Sequence, residues 1–144
     1  MRAVRVGMVG GGFMARTYSF ALAAVHGLAW PDVPSVEKVR LADLSPEQGG
    51  RTARAWGWGE AVGDWRAVTR AGDVDLVLVL TPNDSHAEIG LDALAHGKHV
   101  LCEKPLAHTL AAARAMYRGA VASGRCTRSG SSTASGRPPP SPGG

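Results

Sequence analysis

Three groups of side chains in this sequence have types and spacings that could do chemistry. The first is Cys102-Glu103-Lys104-Pro105, directly after a short apolar run. A lysine is a compact ammonium that gives up its proton readily when desolvated, so Lys104 suits proton transfer. Taken alone, the Glu103–Lys104 pair is equally an ordinary surface ion pair. The second is Gly10-Gly11-Gly12-Phe13-Met14-Ala15, where Gly10, Gly12 and Ala15 fit a G-x-G-x-x-G/A dinucleotide fingerprint. Gly10 permits a sharp turn, Gly12 lets a pyrophosphate approach the main chain, and Ala15 allows close helix–strand packing. The N–H groups of the helix that follows would face the phosphates. The third is Asp43, at the end of the VRLAD run. A carboxylate there can accept from the ribose hydroxyls of an adenosine, and it would repel a 2′-phosphate. Its alternative is a solvated helix cap. Asp43 follows Gly10 at more than the usual spacing of about 20 residues, and the proline-bearing stretch 28–37 accounts for the excess.

These groups need a scaffold that brings them to one edge. Val4–Val9 reads as a strand and Phe13 to about Gly27 as a helix. Val39–Asp43 reads as a second strand, followed by a helix capped by Ser45 with Pro46 at its first position and Gln48 at capping-box spacing. Glu60–Val62 is a short strand and Asp64 to Arg70 a short helix. Val74–Leu80 is a near-continuous apolar run, as in a parallel strand covered on both faces. Thr81-Pro82-Asn83 follows it, with Ser85 and Glu88 at capping-box spacing. Ala87, Leu91, Leu94 and Ala95 share one helical face, and Gly97 ends it. His99–Cys102 is a strand and Thr109 to about Ser123 an alanine-rich helix. Alternating strands and helices predict βαβ units in a doubly wound parallel sheet with flanking helices. Ligands bind such sheets outside the carboxyl ends of the strands, where all three groups fall.

Composition excludes several classes. The net charge of +4 is unevenly placed: residues 125–144 hold Arg125, Arg128 and Arg137 and no acid, leaving 13 basic against 12 acidic residues elsewhere. The basic balance therefore does not argue for nucleic acid. Two cysteines form no disulfide framework and suit a reducing cytoplasm. No apolar run approaches the roughly 18 residues of a membrane span, and no signal peptide is read at the N-terminus. His96, His99 and Cys102 diverge along an extended strand, so no metal site is expected. His26 and His108 read as surface histidines. Trp56, Trp58 and Trp65 read as packing groups, with sugar stacking as the alternative.

Several motifs coincide in one known family. VGMVGGGFMA, LTPNDSH and ALAHGKHVLCEKPLA resemble the nucleotide turn, the T-P-N-x-x-H segment and the A-G-K-H-V-x-C-E-K-P-L-A signature of the Gfo/Idh/MocA oxidoreductases. The resemblance covers about Val4 to Gly124. It implies an N-terminal Rossmann domain over residues 1–124 that binds NAD, with NADP also open because Arg40 and Ser45 lie near Asp43. It implies oxidation or reduction of sugars and polyols, commonly by homo-oligomers. By the same resemblance Gly10, Gly12, Phe13 and Met14 would hold the pyrophosphate and Asp43 the adenosine ribose. The segment holding Thr81, Pro82, Asn83 and His86, together with Glu103, would line the nicotinamide side. Lys104 would contact the reacting hydroxyl and help move its proton, aimed by a Lys104–Pro105 bond that is often cis in the family. The Trp-Gly-Trp segment and Asp64-Trp65-Arg66 point to the sugar-dehydrogenase branch.

The resemblance stops near Gly124, where the family continues with a strand, often ending Gly-Phe-x-Tyr-Arg, and then a C-terminal α/β substrate domain. Here residues 125–144 are mostly Gly, Ser and Pro and are expected to be disordered. Read two bases later with suitable synonymous codons, Gly124 to Arg137 yields Ala-Leu-His-Gln-Val-Gly-Phe-Lys-Tyr-Arg, so a frameshifted reading is the expected origin of the tail. With the substrate domain absent, His99–Cys102 is expected to be an unpaired, aggregation-prone edge. The chain is then expected to be the cofactor-binding portion of a dehydrogenase, inactive alone. The alternative is a dinucleotide-binding module or sensor without chemistry.

Overall fold

Six parallel strands run in the order β3-β2-β1-β4-β5-β6 in the computed structural model, which describes residues 2–29 and 31–130. The elements are β1 Val4–Val9, α1 Phe13–Ala29, β2 Val36–Ala42, α2 Pro46–Trp56, β3 Glu60–Val62, α3 Arg66–Thr69, β4 Leu76–Val79, α4 His86–Ala95, β5 His99–Glu103, α5 Leu110–Ser123 and β6 Thr127–Gly130. The chain winds outward from β1 to β3, returns to the centre at β4 and continues to β6 on the other side. The strand order therefore reverses between β1 and β4, and the crevice of such a sheet lies there.

The period-two alternation of the strands makes two cores. Val6 and Met8 of β1, Leu41 of β2 and Leu78 of β4 meet Ala15 of α1, Ala53 of α2 and Trp58 on one face. Val9, Val77, Val79, Val100 and Cys102 meet Val68, Ile89, Ala93, Leu94 and Met116 on the other. Trp58 is buried as expected of a packing group, and its indole N–H donates to the buried Ser19 hydroxyl at 3.0 Å. Burial against this second core pushes the Cys102 thiol up to about 12.

Local signals hold in part. Ser45 caps α2 by accepting from Gln48 N at 3.2 Å, and Thr109 caps α5 by accepting from Ala112 N at 3.1 Å. The capping box at Ser45 is half formed, because the Gln48 side chain donates to Asp43 instead of reaching back. Ser85 does not cap α4: its backbone is already helical, and its hydroxyl lies 2.7 Å from Thr81 Oγ1 and 2.8 Å from Pro82 O. The buried face of α4 is His86, Ile89, Gly90, Ala93 and Leu94, rotated from the expected stripe so that Ala95 is exposed. Two cores flank the sheet, and α4 also packs on α5 through Gly90 and Met116. The apolar arc that buries it is therefore set by both neighbours.

The expected break after Gly124 moves outward. Thr127–Gly130 pairs in parallel with β5, matching Val100 to Thr127 and Glu103 to Gly130. β5 is therefore not an edge strand. Composition missed β6 because Thr127-Arg128-Ser129-Gly130 buries little side chain, and the ladder is made by main-chain groups. Poor filling is visible beside it, where a 100 Å³ groove lies between α5 and Ser129. The remainder of the expected tail, from residue 131 on, lies outside the described residues.

Candidate coenzyme site

The glycine corner leaves β1 where its neighbours end. Gly10 N donates to Ala42 O at 2.8 Å, and Leu80 N donates to Val9 O at 2.8 Å. Gly10 has φ +102, and a Cβ there would stand 2.9 Å from the Leu80 carbonyl, so both conformation and space demand glycine. A Cβ at Gly12 would meet only Gln48 Nε2, at 4.0 Å, so this main chain faces open space. Phe13 and Met14 open α1, and their N–H groups belong to the unpaired donors of a helix start. Corner, strand ends and α2 together border a cleft of about 490 Å³, lined by Gly10, Gly12, Asp43, Gln48, Thr81 and Pro82 among others.

Asp43 braces this cleft. Its Oδ2 accepts from Gly11 N at 2.8 Å and from Gln48 Nε2 at 2.9 Å, while Oδ1 accepts from Ser45 N at 2.7 Å. Thr52 donates to Gly11 O at 2.9 Å. The glycine corner is thus fastened to the end of β2 and to α2 by side chains, and the half-buried carboxylate borders the cleft in a fixed orientation. The double role of Asp43 is not readable from its position, because the bond to Gly11 joins segments distant in sequence. Arg40 does not stand beside Asp43 as the sequence reading had it. Its guanidinium donates to Ala67 O at 2.9 Å and pairs with Asp73 at 3.0 Å, on the α3 side of the sheet. Trp65 borders the cleft with Arg66 stacked on its ring at 4.2 Å, so of Trp56, Trp58 and Trp65 this one faces the site.

On the opposite side of the crevice the T-P-N segment leaves β4. Thr81 and Pro82 line the cleft, and Asn83 is exposed at the turn. His86 differs from the expectation that it lines the site. Its ring is buried, with Nδ1 2.9 Å from Pro105 O and Nε2 2.7 Å from Thr81 O. It reaches the cleft only through the Thr81 loop, which it ties to the loop at Pro105. The sequence marked His86 through its motif, but a ring between two carbonyls is a tertiary fact.

Glu103 and Lys104 end β5, followed by a cis Lys104–Pro105 bond. Lys104 is exposed and enters no ion pair among the described residues, so the bland surface-pair reading with Glu103 does not hold. The Glu103 carboxylate turns away from it, accepting from Lys104 N at 3.2 Å and from the Tyr18 hydroxyl at 2.8 Å. Tyr18, a residue of α1 with no motif around it in the sequence, therefore belongs to this region.

A reversing parallel sheet, a glycine corner at its switch point and an acid at the end of β2 define a dinucleotide-binding domain. Comparison with known proteins makes this particular. Residues 4–131 match the family model described as "Oxidoreductase family, NAD-binding Rossmann fold". The chain belongs to the Gfo/Idh/MocA oxidoreductase family and carries its NAD-binding domain. It is 39% identical over 117 residues to levoglucosan dehydrogenase of Pseudarthrobacter phenanthrenivorans, covering 81% of this chain and 30% of that protein. It is 38% identical over 121 residues to 1,5-anhydro-D-fructose reductase of Ensifer adhaerens, covering 83% of this chain and 34% of that one. The solved structure of levoglucosan dehydrogenase in complex with NADH and L-sorbose superposes with a TM-score of 0.87 at 36% identity, over 90% of this chain and 35% of that chain. The chain thus spans about a third of the length of the relatives it matches.

Proposed function

We propose that this chain is the coenzyme-holding part of an NAD-dependent sugar or polyol dehydrogenase. The observation that carries the reading is the shared edge. Gly10, Gly12 and Asp43 end β1 and β2, and Lys104 ends β5, all at the carboxyl ends of one sheet. The names of the relatives, dehydrogenases and reductases acting on sugars and polyols, support the same class.

The residues present fit the group. The open main chain at Gly12 and the N–H groups of Phe13 and Met14 would take the pyrophosphate. Asp43, already oriented by three donors, has one of a carboxylate's roughly four lone-pair positions left, on Oδ1, for a ribose hydroxyl. With Arg40 drawn to Asp73, its guanidinium is not there to offset the repulsion between Asp43 and a 2′-phosphate, which favours NAD over NADP. When bound, NAD supplies a hydride acceptor. Lys104 Nζ, as the neutral amine, would take the proton of the substrate hydroxyl and become an ammonium as the carbinol carbon bearing that hydroxyl gives up its hydride. Thr81 and Pro82 would line the nicotinamide side, and Asn83 would present its side chain at the turn.

Calorimetric titration with NADH and NADPH tests the reading. Saturable NADH binding is expected, at least about 10-fold tighter than NADPH, since one 2′-phosphate beside a carboxylate costs on the order of 1 kcal/mol or more. Asp43→Ala should weaken NADH binding, and Lys104→Ala should leave it nearly unchanged. Absence of binding would overturn the reading. Binding without sugar-dependent NADH formation would favour the second reading, a dinucleotide-binding module without chemistry.

A further inference from the structure

Glu103 has its carboxylate drawn toward α1 and not toward the lysine beside it. The alternation of β5 explains part of this. Val100 and Cys102 belong to the core under α4 and α5, whereas Leu101 packs with Tyr18 against the opposite core. Glu103 shares the face of Leu101, so its side chain emerges beside α1. There the Tyr18 hydroxyl donates to Oε2 at 2.8 Å, while Oε1 accepts from Lys104 N at 3.2 Å. Both carboxylate oxygens are thus engaged, one by a helix and one by the main chain of the lysine.

A third residue leaves room for this arrangement. Gly130 is the β6 partner of Glu103, and a Cβ on it would stand 2.9 Å from the Tyr18 hydroxyl oxygen and 3.1 Å from Glu103 Oε2. Any larger residue would compete for the space the pair occupies. The pair borders a second hollow of about 310 Å³, between Met14 and Thr17 of α1 and Lys104. In the sheet order β2-β1-β4-β5, Asp43 ends a strand on one side of the glycine corner and Glu103 ends a strand on the other. A dinucleotide whose pyrophosphate sits on the corner and whose adenosine sits at Asp43 must extend its other half toward β4 and β5.

We propose that Tyr18 is a positioning residue that holds Glu103 against α1, keeping the hollow beside Lys104 open for the non-adenosine half of the coenzyme. This rests on the coenzyme reading above. Tyr18 is suited to the task, because burial first and the Glu103 bond second raise its phenol above the ordinary value. It stays a neutral donor at working pH, and Glu103 can only accept. Without the hydroxyl, Oε2 loses its partner, and the carboxylate is free to swing to the Lys104 ammonium across the mouth of the hollow.

The test is a ratio. NADH carries both halves of the dinucleotide and ADP only the adenosine half. Tyr18→Phe should weaken NADH binding by roughly 3- to 10-fold, about the net worth of one ordinary hydrogen bond, and leave ADP binding and Tm nearly unchanged. Gly130→Ala should shift the ratio in the same direction by displacing the hydroxyl. In a Glu103→Ala background the Tyr18→Phe effect should vanish, since no carboxylate remains to position. An unchanged NADH to ADP ratio in Tyr18→Phe overturns the proposal, as does an equal fall for both ligands, which would mark a general structural role. A chain that binds ADP and NADH normally but shows no ratio change sinks the positioning role alone. A wild-type chain that binds neither sinks the coenzyme reading and this proposal together.

Discussion

The two ends of the sheet use the same residue types to opposite effect. At the amino ends of the strands, charges consume one another. Asp75 accepts from Arg5 N at 3.0 Å and from its guanidinium at 3.1 and 2.9 Å, and pairs with Arg2 at 2.7 Å. Asp92 takes Arg70 at 2.8 Å and the Thr69 hydroxyl at 2.6 Å. The buried Lys98 ammonium donates to Ala71 O and, at 2.8 Å, to Val74 O. At the carboxyl ends, Asp43 keeps an acceptor position on Oδ1 beside a cleft, and Lys104 stands exposed in a turn. Saturation at one end is what a fold needs for rigidity, and incomplete saturation at the other is what a site needs for a ligand.

The contrast can be broken in three places. The largest effect should come from the carboxyl end, at Gly10→Ala. A methyl 2.9 Å from the Leu80 carbonyl, on a backbone with φ +102, is expected to cost about 3 kcal/mol in urea denaturation. A change below about 1 kcal/mol would show that the corner relaxes freely. The second test is Lys98→Met at the other end. It leaves the Ala71 and Val74 carbonyls without their donor and should cost about 2 kcal/mol. NADH affinity should not change. A loss of coenzyme binding here would show that the ends are not independent.

The smallest effect is a pH dependence. The Arg5 guanidinium holds the Asp75 carboxyl well below the usual carboxylate range, and Arg70 lowers Asp92. A carboxylate with a depressed folded value contributes stability that is complete above its unfolded value of about 4 and is lost as pH falls toward the folded one. Thermal midpoints should therefore fall modestly between about pH 4 and pH 2, and Asp75→Asn should flatten that slope. A wild-type profile with no fall over this range would remove the electrostatic account of the amino end.

Much of the fold and the site was legible because local rules and global fold agree there. The apolar run at Val74–Leu80, the corner after Val9 and the cap at Ser45 each depend on neighbours in sequence, and β1 and β3 match their expected bounds. Other elements drifted by a few residues. β2 begins at Val36, three residues before the expected Val39 and inside the proline-bearing stretch 28–37, because pairing with Val4 extends it. What stayed hidden depends on contacts across the sheet. Ser85 looked like a cap, yet its hydroxyl turns to Thr81, and α4 starts without it. Tyr18 and Glu103 are 85 residues apart, and only the winding of α1 over the face of β5 joins them. β6 has no apolar signature at all, since its partner strand supplies the reason for it to be extended.

The two cysteines of the chain stand in opposite surroundings. Cys102 is sealed in the core with its thiol raised, while Cys126 lies exposed just before β6. A single maleimide reaction on the folded protein should therefore attach one fluorophore, at one place, without any prior mutagenesis. That place is at the amino end of its strand, away from the cleft, so the dye would report on docking of β6 while leaving ligand titrations undisturbed.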